Sequence, residues 1–494
     1  MEAEKIQVQE AEYVATLPPE KRERFGHYDP DSPDQIEAER KLKRKIDTRM
    51  LPFMLVVYFL QFFDKTTLSL AAILGILKDA NLSAGEYSWL SSIFYFGFLL
   101  SEFPSNFLMQ RFSIGKYLSV SLILWGAVLC CHAASTTFAS LMTVRFFLGL
   151  MEAGVTPAFT LSTSLFYDRQ TMASRIGYWF CANGLSSMVG SLIGIGISRM
   201  EGLGHLKSWQ WCFLLPGLLT VVVGIIAFFT YAGSPRDAKW LTQDEKDLLE
   251  YMLRDNQTEE HRTFKAYQVK ECLLDPHMWL FFVLVLLTNI PNAISSFGQL
   301  IIQGIGFSSF QTILLTIPIG VMQCIFLISG SQLSTRFNSR AYVMCIYWIP
   351  MIIGTAILTS LSRSNVAGLL ASVYLLTSFT VTFIIALSWL PQTFVGHTKK
   401  VTAHAVFMLG YAIGNIIAPQ CFTDPPTYHR GLTITLICCV VCMFLTLFIR
   451  WALRRENKRR DALQGDKQPT WEELVDIARR DLTDRENMYF RYKL

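Results

Sequence analysis

Apolar residues run through this chain in long blocks, not in the alternation of a strand or the one-sided stripe of a surface helix. After a polar opening of 49 residues, such blocks recur with short polar breaks between them, each close to the roughly 20 residues a helix needs to cross a hydrocarbon layer. The pattern predicts spans at 50–77, 87–108, 117–135, 139–165, 175–198 and 211–232. A hydrophilic stretch follows, and then six more spans at 278–302, 309–330, 341–361, 365–388, 401–421 and 431–453. The expectation is an all-α membrane protein with twelve transmembrane helices in two pseudo-symmetric six-helix bundles. Its parts would be a tail (1–49), a first bundle (50–233), a linker (234–276), a second bundle (277–454) and a closing tail (455–494).

A short repeat supports the two halves. Arg111-Phe112-x4-Tyr117 follows the second span, and Arg336-Phe337-x4-Tyr342 follows the eighth. Within the linker, Trp240-Leu241-Thr242-x2-Glu245 opens an amphipathic helical pattern to about Arg254, with Thr242 as N-cap. Gly190-x3-Gly194 and Gly410-x3-Gly414 permit close helix approach. Their corresponding places in spans five and eleven suggest the sliding interface between the halves.

Composition agrees: 51% of residues are hydrophobic and only 17% charged, against about 25% charged in soluble domains. That excludes a soluble enzyme, a disordered chain and a disulfide-stapled domain. Eight of the eleven cysteines lie inside apolar runs and read as packing residues. The net charge of +5 matters through its placement. With both termini on one side, the loops and flanks of that side hold 27 Lys and Arg against five on the other, which predicts cytoplasmic termini. Asn81-Leu82-Ser83 then lies outside, making Asn81 a candidate glycosylation site, whereas Asn256-Gln257-Thr258 lies inside. The basic clusters at 40–45 and 454–460 read as topology signals and lipid-headgroup contacts, not as nucleic-acid sites.

Ionisable groups at bilayer depth cost at least ~2.5–3.5 kcal/mol each, so those present point to function. Five occur, all in the first half: Asp64, Lys65, Glu102, Arg145 and Glu152. The second half offers Asn289, Asn292, Gln299, Gln323, His404 and Asn415. Arg145 and Glu152, seven residues apart, share one helix face about 10 Å apart along the axis. That is long for a direct ion pair, so each needs another partner or faces a cavity. A cation near a titratable carboxylate suits anion–proton coupling; the plainer alternative is a charge network holding helices one and four together. Asp64 and Lys65 point about 100° apart, which favours Lys65 as the anion-attracting group and Asp64 as its balancing charge. Glu102 and Arg111 read as a cytoplasmic gate. The expected assignment is substrate binding by Lys65, Arg145, Asn289, Gln299 and His404, with proton coupling through Glu152 and Asp64. No phosphate loop, zinc spacing or nucleophile elbow occurs, so the expectation is no enzyme, no metal and no cofactor other than a proton gradient.

These residues resemble the major facilitator superfamily, and within it the fungal anion:cation symporter group of allantoate permease type. The resemblance is carried by Tyr87-Ser88-Trp89-Leu90, Glu102-Phe103-Pro104-Ser105-Asn106, Trp125-Gly126, Arg145-Phe146-Phe147-Leu148-Gly149, Glu152-Ala153-Gly154, Trp240-Leu241-Thr242, Pro425-Pro426-x-Tyr428-x2-Gly431 and Phe490-Arg491-Tyr492. It implies a twelve-helix rocker that imports a small organic anion, a ureide or vitamin carboxylate, by proton symport. The expected setting is a fungal plasma membrane and the expected state a monomer. By similarity, Arg145 and Glu152 match a fourth-helix pair linked to anion binding and proton coupling. Lys65 stands where many members carry Arg, which removes bidentate recognition there. Pro157-Ala158 replaces a common Pro-Gly. The alternative function is a proton-antiporting exporter of a secondary metabolite. A non-transporting sensor would call for a longer effector tail than the 34 residues after Arg460.

Overall fold

A computed structural model describes residues 32–253, 264–337, 339–362, 364–464, 482–487 and 489–494; Asn256–Thr258, Arg254 and Arg363 lie outside them. Every regular element among the described residues is a helix. Eleven helical segments are long and apolar enough to cross a membrane. The remaining long helix, Ala84–Arg111, interrupts its apolar run with Ser, Tyr and Glu. Numbered with it in chain order, the spans are span 1 (Pro33–Ile73), span 2 (Ala84–Arg111), span 3 (Ile114–Cys131), span 4 (Phe138–Glu152 continued by Val155–Phe166), span 5 (Arg169–Phe180 continued by Ala182–Ser198) and span 6 (Ser208–Thr230). Then come span 7 (Pro276–Thr288 continued by Ile294–Gly304), span 8 (Ser309–Phe337), span 9 (Arg340–Ser360), span 10 (Val366–Leu376 continued by Phe379–Thr393), span 11 (His397–Ile417) and span 12 (His429–Gln464).

Two spans overrun their apolar blocks. Span 1 begins at Pro33, with proline in the first turn where its missing N–H costs nothing, so the basic run Arg40–Lys45 is helical. Lys43 pairs with Asp168 at 3.2 Å and Lys45 with Glu245 at 2.7 Å. These two lysines are therefore tied to protein carboxylates, where lipid headgroups are the expected contact. Burial would raise the Glu245 carboxyl, but the Lys45 hydrogen bond and the Thr242 amide outweigh it and hold it below its ordinary value. Thr242 and Glu245 form a reciprocal cap on the linker helix Gln243–Met252. Span 12 runs on to Gln464 through the second basic cluster.

The glycine pairs do not lie chiefly between the halves. A Cβ on Gly190 would meet Phe63, and one on Gly194 would meet Leu70 of span 1 and, farther off, Ile313 of span 8. Gly410 and Gly414 press on Phe282, Val285 and Leu286 of span 7. Each pair thus packs span 5 on span 1 or span 11 on span 7, within its own bundle. The close crossing of the halves is at Gly184 of span 5 and Gly320 of span 8, where added methyls would run into Cys324 and the Gly184 carbonyl. Small residues at these positions let helix backbones touch.

The bundles also meet through hydroxyl donors near the ends away from the chain tails. Tyr87 donates to the Ser296 carbonyl (2.8 Å), Ser92 to the Ile416 carbonyl (2.7 Å), Ser88 to the Phe422 carbonyl (3.4 Å) and Ser309 to the Ile73 carbonyl (3.0 Å). The Arg111-Phe112 and Arg336-Phe337 repeats close spans 2 and 8 at matching places.

Candidate functional site

Spans 4 and 7 are each interrupted near their middles. Span 4 breaks immediately after Glu152, at Ala153-Gly154. A side chain on Gly154 would collide with the Tyr117 hydroxyl, so the break accepts span 3 at close range. Span 7 breaks at Asn289–Ala293, around Pro291. Broken helices at mid-depth are where membrane carriers place polar chemistry, because the freed backbone must face a cavity or protein instead of lipid.

Just before the span 4 break and just past the span 7 break, Glu152 and Ser295–Ser296 line one cavity with Asp64, Lys65, Ser91, Tyr95 and Arg145. Its volume is about 30 Å³, room for a water or two. Glu152 is fully buried, with Lys65 Nζ 3.4 Å from its Oε1. Gln61, one turn earlier, faces the same carboxylate, yet neither contact has hydrogen-bond geometry. Asp64 turns the other way. Its Oδ2 accepts from the Trp125 indole N–H at 2.7 Å, and its Oδ1 from Thr67 at 3.3 Å. Adjacent residues of span 1 thus serve spans 4 and 3 separately, as their angular offset requires.

Arg145 is the unusual member. It is 4% exposed, and its Nε and Nη2 have no hydrogen-bond partner. Its guanidinium lies 5.6 Å from the Phe213 ring centre, a cation–π contact that offsets part of its desolvation. Phe213 in turn stacks with buried His132 at 5.0 Å. Arg145 and Glu152 are not paired with each other; each takes a separate neighbour. With Asp64, Glu152, Lys65 and Arg145 all ionised, the four side-chain charges sum to zero.

The second half contributes an amide chain. Asn415 donates to Asn289 Oδ1 (3.2 Å), and Asn292 donates to Asn415 Oδ1 (2.6 Å) and toward the Tyr95 hydroxyl (3.5 Å). Of the second-half residues expected to bind substrate, none lines the cavity. Asn289 gives its amide to the Val285 carbonyl and its oxygen to Asn415. Gln299 lies one turn beyond Ser295 and Ser296, buried, with Oε1 unpartnered. His404 is exposed on span 11, two turns toward the tails from Tyr411. Glu102 is half-buried without an ion-pair partner among the described residues, and Arg111 lies over Phe107 at 5.5 Å; the two are not brought together. Asn81 is exposed, with a positive φ of 48°. Trp125, Tyr95, Ser295 and Ser296 carry no charge to mark them in the sequence. Only the matching helix breaks, flagged by Ala153-Gly154 and Pro291, signal their position.

A second polar cluster sits at the tail end of the second bundle. Lys399, in the first turn of span 11, is fully buried between Glu271 (2.9 Å), Asp275 (3.1 Å) and Asp484 (2.7 Å). Asp275 also caps span 7 and takes His277 (3.0 Å) and Arg485 (3.3 Å). Burial would raise the Asp275 carboxyl, but His277, Lys399 and Arg485 together hold it well below the usual carboxylate range. Tyr492 donates to Asp484 at 2.7 Å, and Arg460 reaches the Asp484 and Phe490 carbonyls. The closing tail is thereby built into the bundle.

The sequence profile of the Major Facilitator Superfamily matches residues 54–419. The chain is 33% identical to the allantoate permease of Saccharomyces cerevisiae, covering 93% of this chain and 87% of that one. It is 35% identical to the thiamine pathway transporter THI73 of the same yeast, covering 92% and 87%. Among solved structures it resembles an inward-facing bacterial homologue of the lysosomal transporter Spinster, with TM-score 0.63 and 16% identity over 82% of this chain and 96% of that one. It also resembles a D-xylose–proton symporter, with TM-score 0.61 and 14% identity over 81% and 97%. Twelve spans in two bundles, helix breaks around a charged cavity and a profile match over most of the chain agree: this multi-pass membrane protein belongs to the major facilitator superfamily of secondary transporters and is similar over nearly its full length to the fungal allantoate permease group.

Proposed function

We propose that the protein imports a small organic carboxylate together with a proton across a fungal plasma membrane, with its termini in the cytoplasm. The observation that carries this reading is Arg145: a buried guanidinium with two unpartnered nitrogens on the wall of the central cavity. A carboxylate is the ligand that satisfies such a fork. The pairing of Lys65 with Glu152 supplies the coupling. Protonation of Glu152 removes the counter-ion of Lys65 and leaves the four-residue cluster at +1. One monovalent anion on Arg145 and Lys65 restores neutrality, so one proton per anion lets the loaded site cross the bilayer without a buried net charge. Asp64, bonded to Trp125, is the standing counter-charge. The cavity is too small for an organic anion as it stands, so loading requires the bundles to part, and the seam of hydroxyl–carbonyl bonds between them suits that motion. The asparagine chain with Tyr95 serves to orient the uncharged part of the substrate, with Gln299 and His404 flanking its path, and Glu102 and Arg111 act at the cytoplasmic mouth.

The test is uptake into proteoliposomes of a panel of carboxylates, allantoate among them, with and without an inward proton gradient. Glu152→Gln is expected to abolish pH-driven accumulation while keeping counterflow exchange. Arg145→Gln and Lys65→Gln are expected to raise the KM for the anion. Accumulation against a gradient by Glu152→Gln, or unchanged KM in both cation variants, overturns the reading.

A further inference from the structure

The tail end of the second bundle carries a cleft that the transport site does not use. Its volume is about 590 Å³, and Ser339, Tyr342, Val343, Ile346, Arg450 and Lys493 are among its walls. Two cations line it, no Asp or Glu side chain does, and the Leu494 carboxylate, one oxygen of which takes the Arg340 amide, is the anion on the same wall. The Arg450 guanidinium stacks on the Tyr342 ring at 4.0 Å and donates to Ser339 Oγ at 3.1 Å, so it is held in place without a carboxylate. Lys493 is positioned through its backbone. Its carbonyl accepts from Trp389 Nε1 (2.9 Å), the neighbouring Leu494 oxygen accepts from the Arg340 amide (3.0 Å), and Tyr492 is clamped to Asn457 in both directions. Neither cation has an ion-pair partner among the described residues.

Depth fixes what such a cleft meets. Residues 431–449 of span 12 contain no charge, and Arg450 ends that run. Nineteen helical residues rise about 28 Å, close to the ~30 Å hydrocarbon core, which puts Arg450 at headgroup level. Below it, Tyr342, Ile346, Ile349 and Ile353 form a continuous outward column on span 9, each 45–50% exposed. A rigid cationic mouth above an apolar column has the shape and polarity of a phospholipid: phosphate at the top, acyl chain along the helix.

We propose that this cleft binds one anionic phospholipid of the leaflet on the tail side, its phosphate held by Arg450, Lys493 and Ser339 and an acyl chain lying along Tyr342–Ile353. The site is independent of the transported substrate. Native mass spectrometry of the full-length protein in detergent, titrated with phosphatidylserine or phosphatidylcholine, tests it. Two basic groups set against the Leu494 carboxylate leave a net charge of +1 at the mouth, and one basic charge at a membrane surface contributes about fivefold, so the expected preference for phosphatidylserine in the first bound lipid is about fivefold. Arg450→Gln/Lys493→Gln should remove that preference, whereas Lys458→Gln/Arg459→Gln, outside the cleft, should keep it. No preference in the wild-type protein, which needs no variant to fold, overturns the proposal. So does equal loss in both double variants, which would mark a diffuse basic surface. Displacement of phosphatidylserine by millimolar inorganic phosphate would identify the site as one for a free anion and would likewise overturn it.

Discussion

Replacing Lys399 with methionine removes the cation shared by Glu271, Asp275 and Asp484 while nearly preserving side-chain volume. Asp275 and Asp484 are 2% and 1% exposed, so neither regains water when the ammonium is lost. Stranding the partner of a buried ion pair costs about 3–5 kcal/mol. Asp275 keeps His277 and Arg485, and Asp484 keeps Tyr492, which places the expected loss at the lower end, about 3 kcal/mol. Because Asp484 reaches Lys399 from the closing tail, a chain ending at Gln464 removes part of the same interaction. Lys399→Met and that truncation should therefore be markedly less than additive. Denaturation in mixed micelles, followed by a thiol-reactive dye, measures both: Cys272, Cys439 and Cys442 are buried and label only on unfolding. A Lys399→Met protein within about 0.5 kcal/mol of wild type, or full additivity with the truncation, would refute the reasoning that a buried ion cluster fastens the tail.

Three further outcomes follow from the geometry. Trp125→Phe deletes the charge-assisted bond to Asp64, worth about 1.5–3 kcal/mol, and should lower the unfolding free energy and alter the pH profile of uptake; an unchanged profile separates Asp64 from coupling. Gly149→Ala drives a methyl into the Phe94 carbonyl of span 2, whereas Gly85→Ala meets nothing within 4 Å; the first should cost about 1–3 kcal/mol and the second little, judged by melting temperature and yield. Asp275 has a carboxyl held below its unfolded value, so its contribution is present above the ordinary carboxylate range and is lost only as the pH falls through the depressed folded value. Asp275→Asn should flatten the acid limb of a stability-versus-pH curve and leave the neutral region parallel to wild type.

The spans are legible because bilayer-length apolar blocks admit few other structures, and the charges in the first half are legible because burial makes them expensive. The seven-residue spacing of Arg145 and Glu152 places them on one face, and the structure gives each a separate neighbour. What escapes a linear reading is partnership across distance. Lys399 stands at the edge of its apolar block beside Lys400, so it reads as one more loop cation; its carboxylates come from the linker, the start of span 7 and the far tail. Span 1 extends back to Pro33 on the buried stripe Leu42, Ile46 and Met50 together with ion pairs to Asp168 and Glu245; three apolar residues spaced by four inside a basic run are easily passed over beside the long apolar block that follows. The glycine pairs mark close packing correctly, but only three-dimensional neighbours tell that Gly190 rests on Phe63 of its own bundle. Trp125 shows nothing in sequence that distinguishes a buried donor to Asp64 from any other core indole.

Where the two bundles touch, the acceptors at Ser296, Ile416, Phe422 and Ile73 are all main-chain carbonyls. A carbonyl is supplied by any residue, so the accepting positions, three on the second bundle and one on the first, can change their side chains over evolutionary time, while Tyr87, Ser88, Ser92 and Ser309 must keep their hydroxyls. Water replaces a hydroxyl at a carbonyl almost without loss, each exchange costing about 1 kcal/mol. On the proposed transport cycle, the bundles therefore part here by wetting, with no charge pulled from its counter-charge.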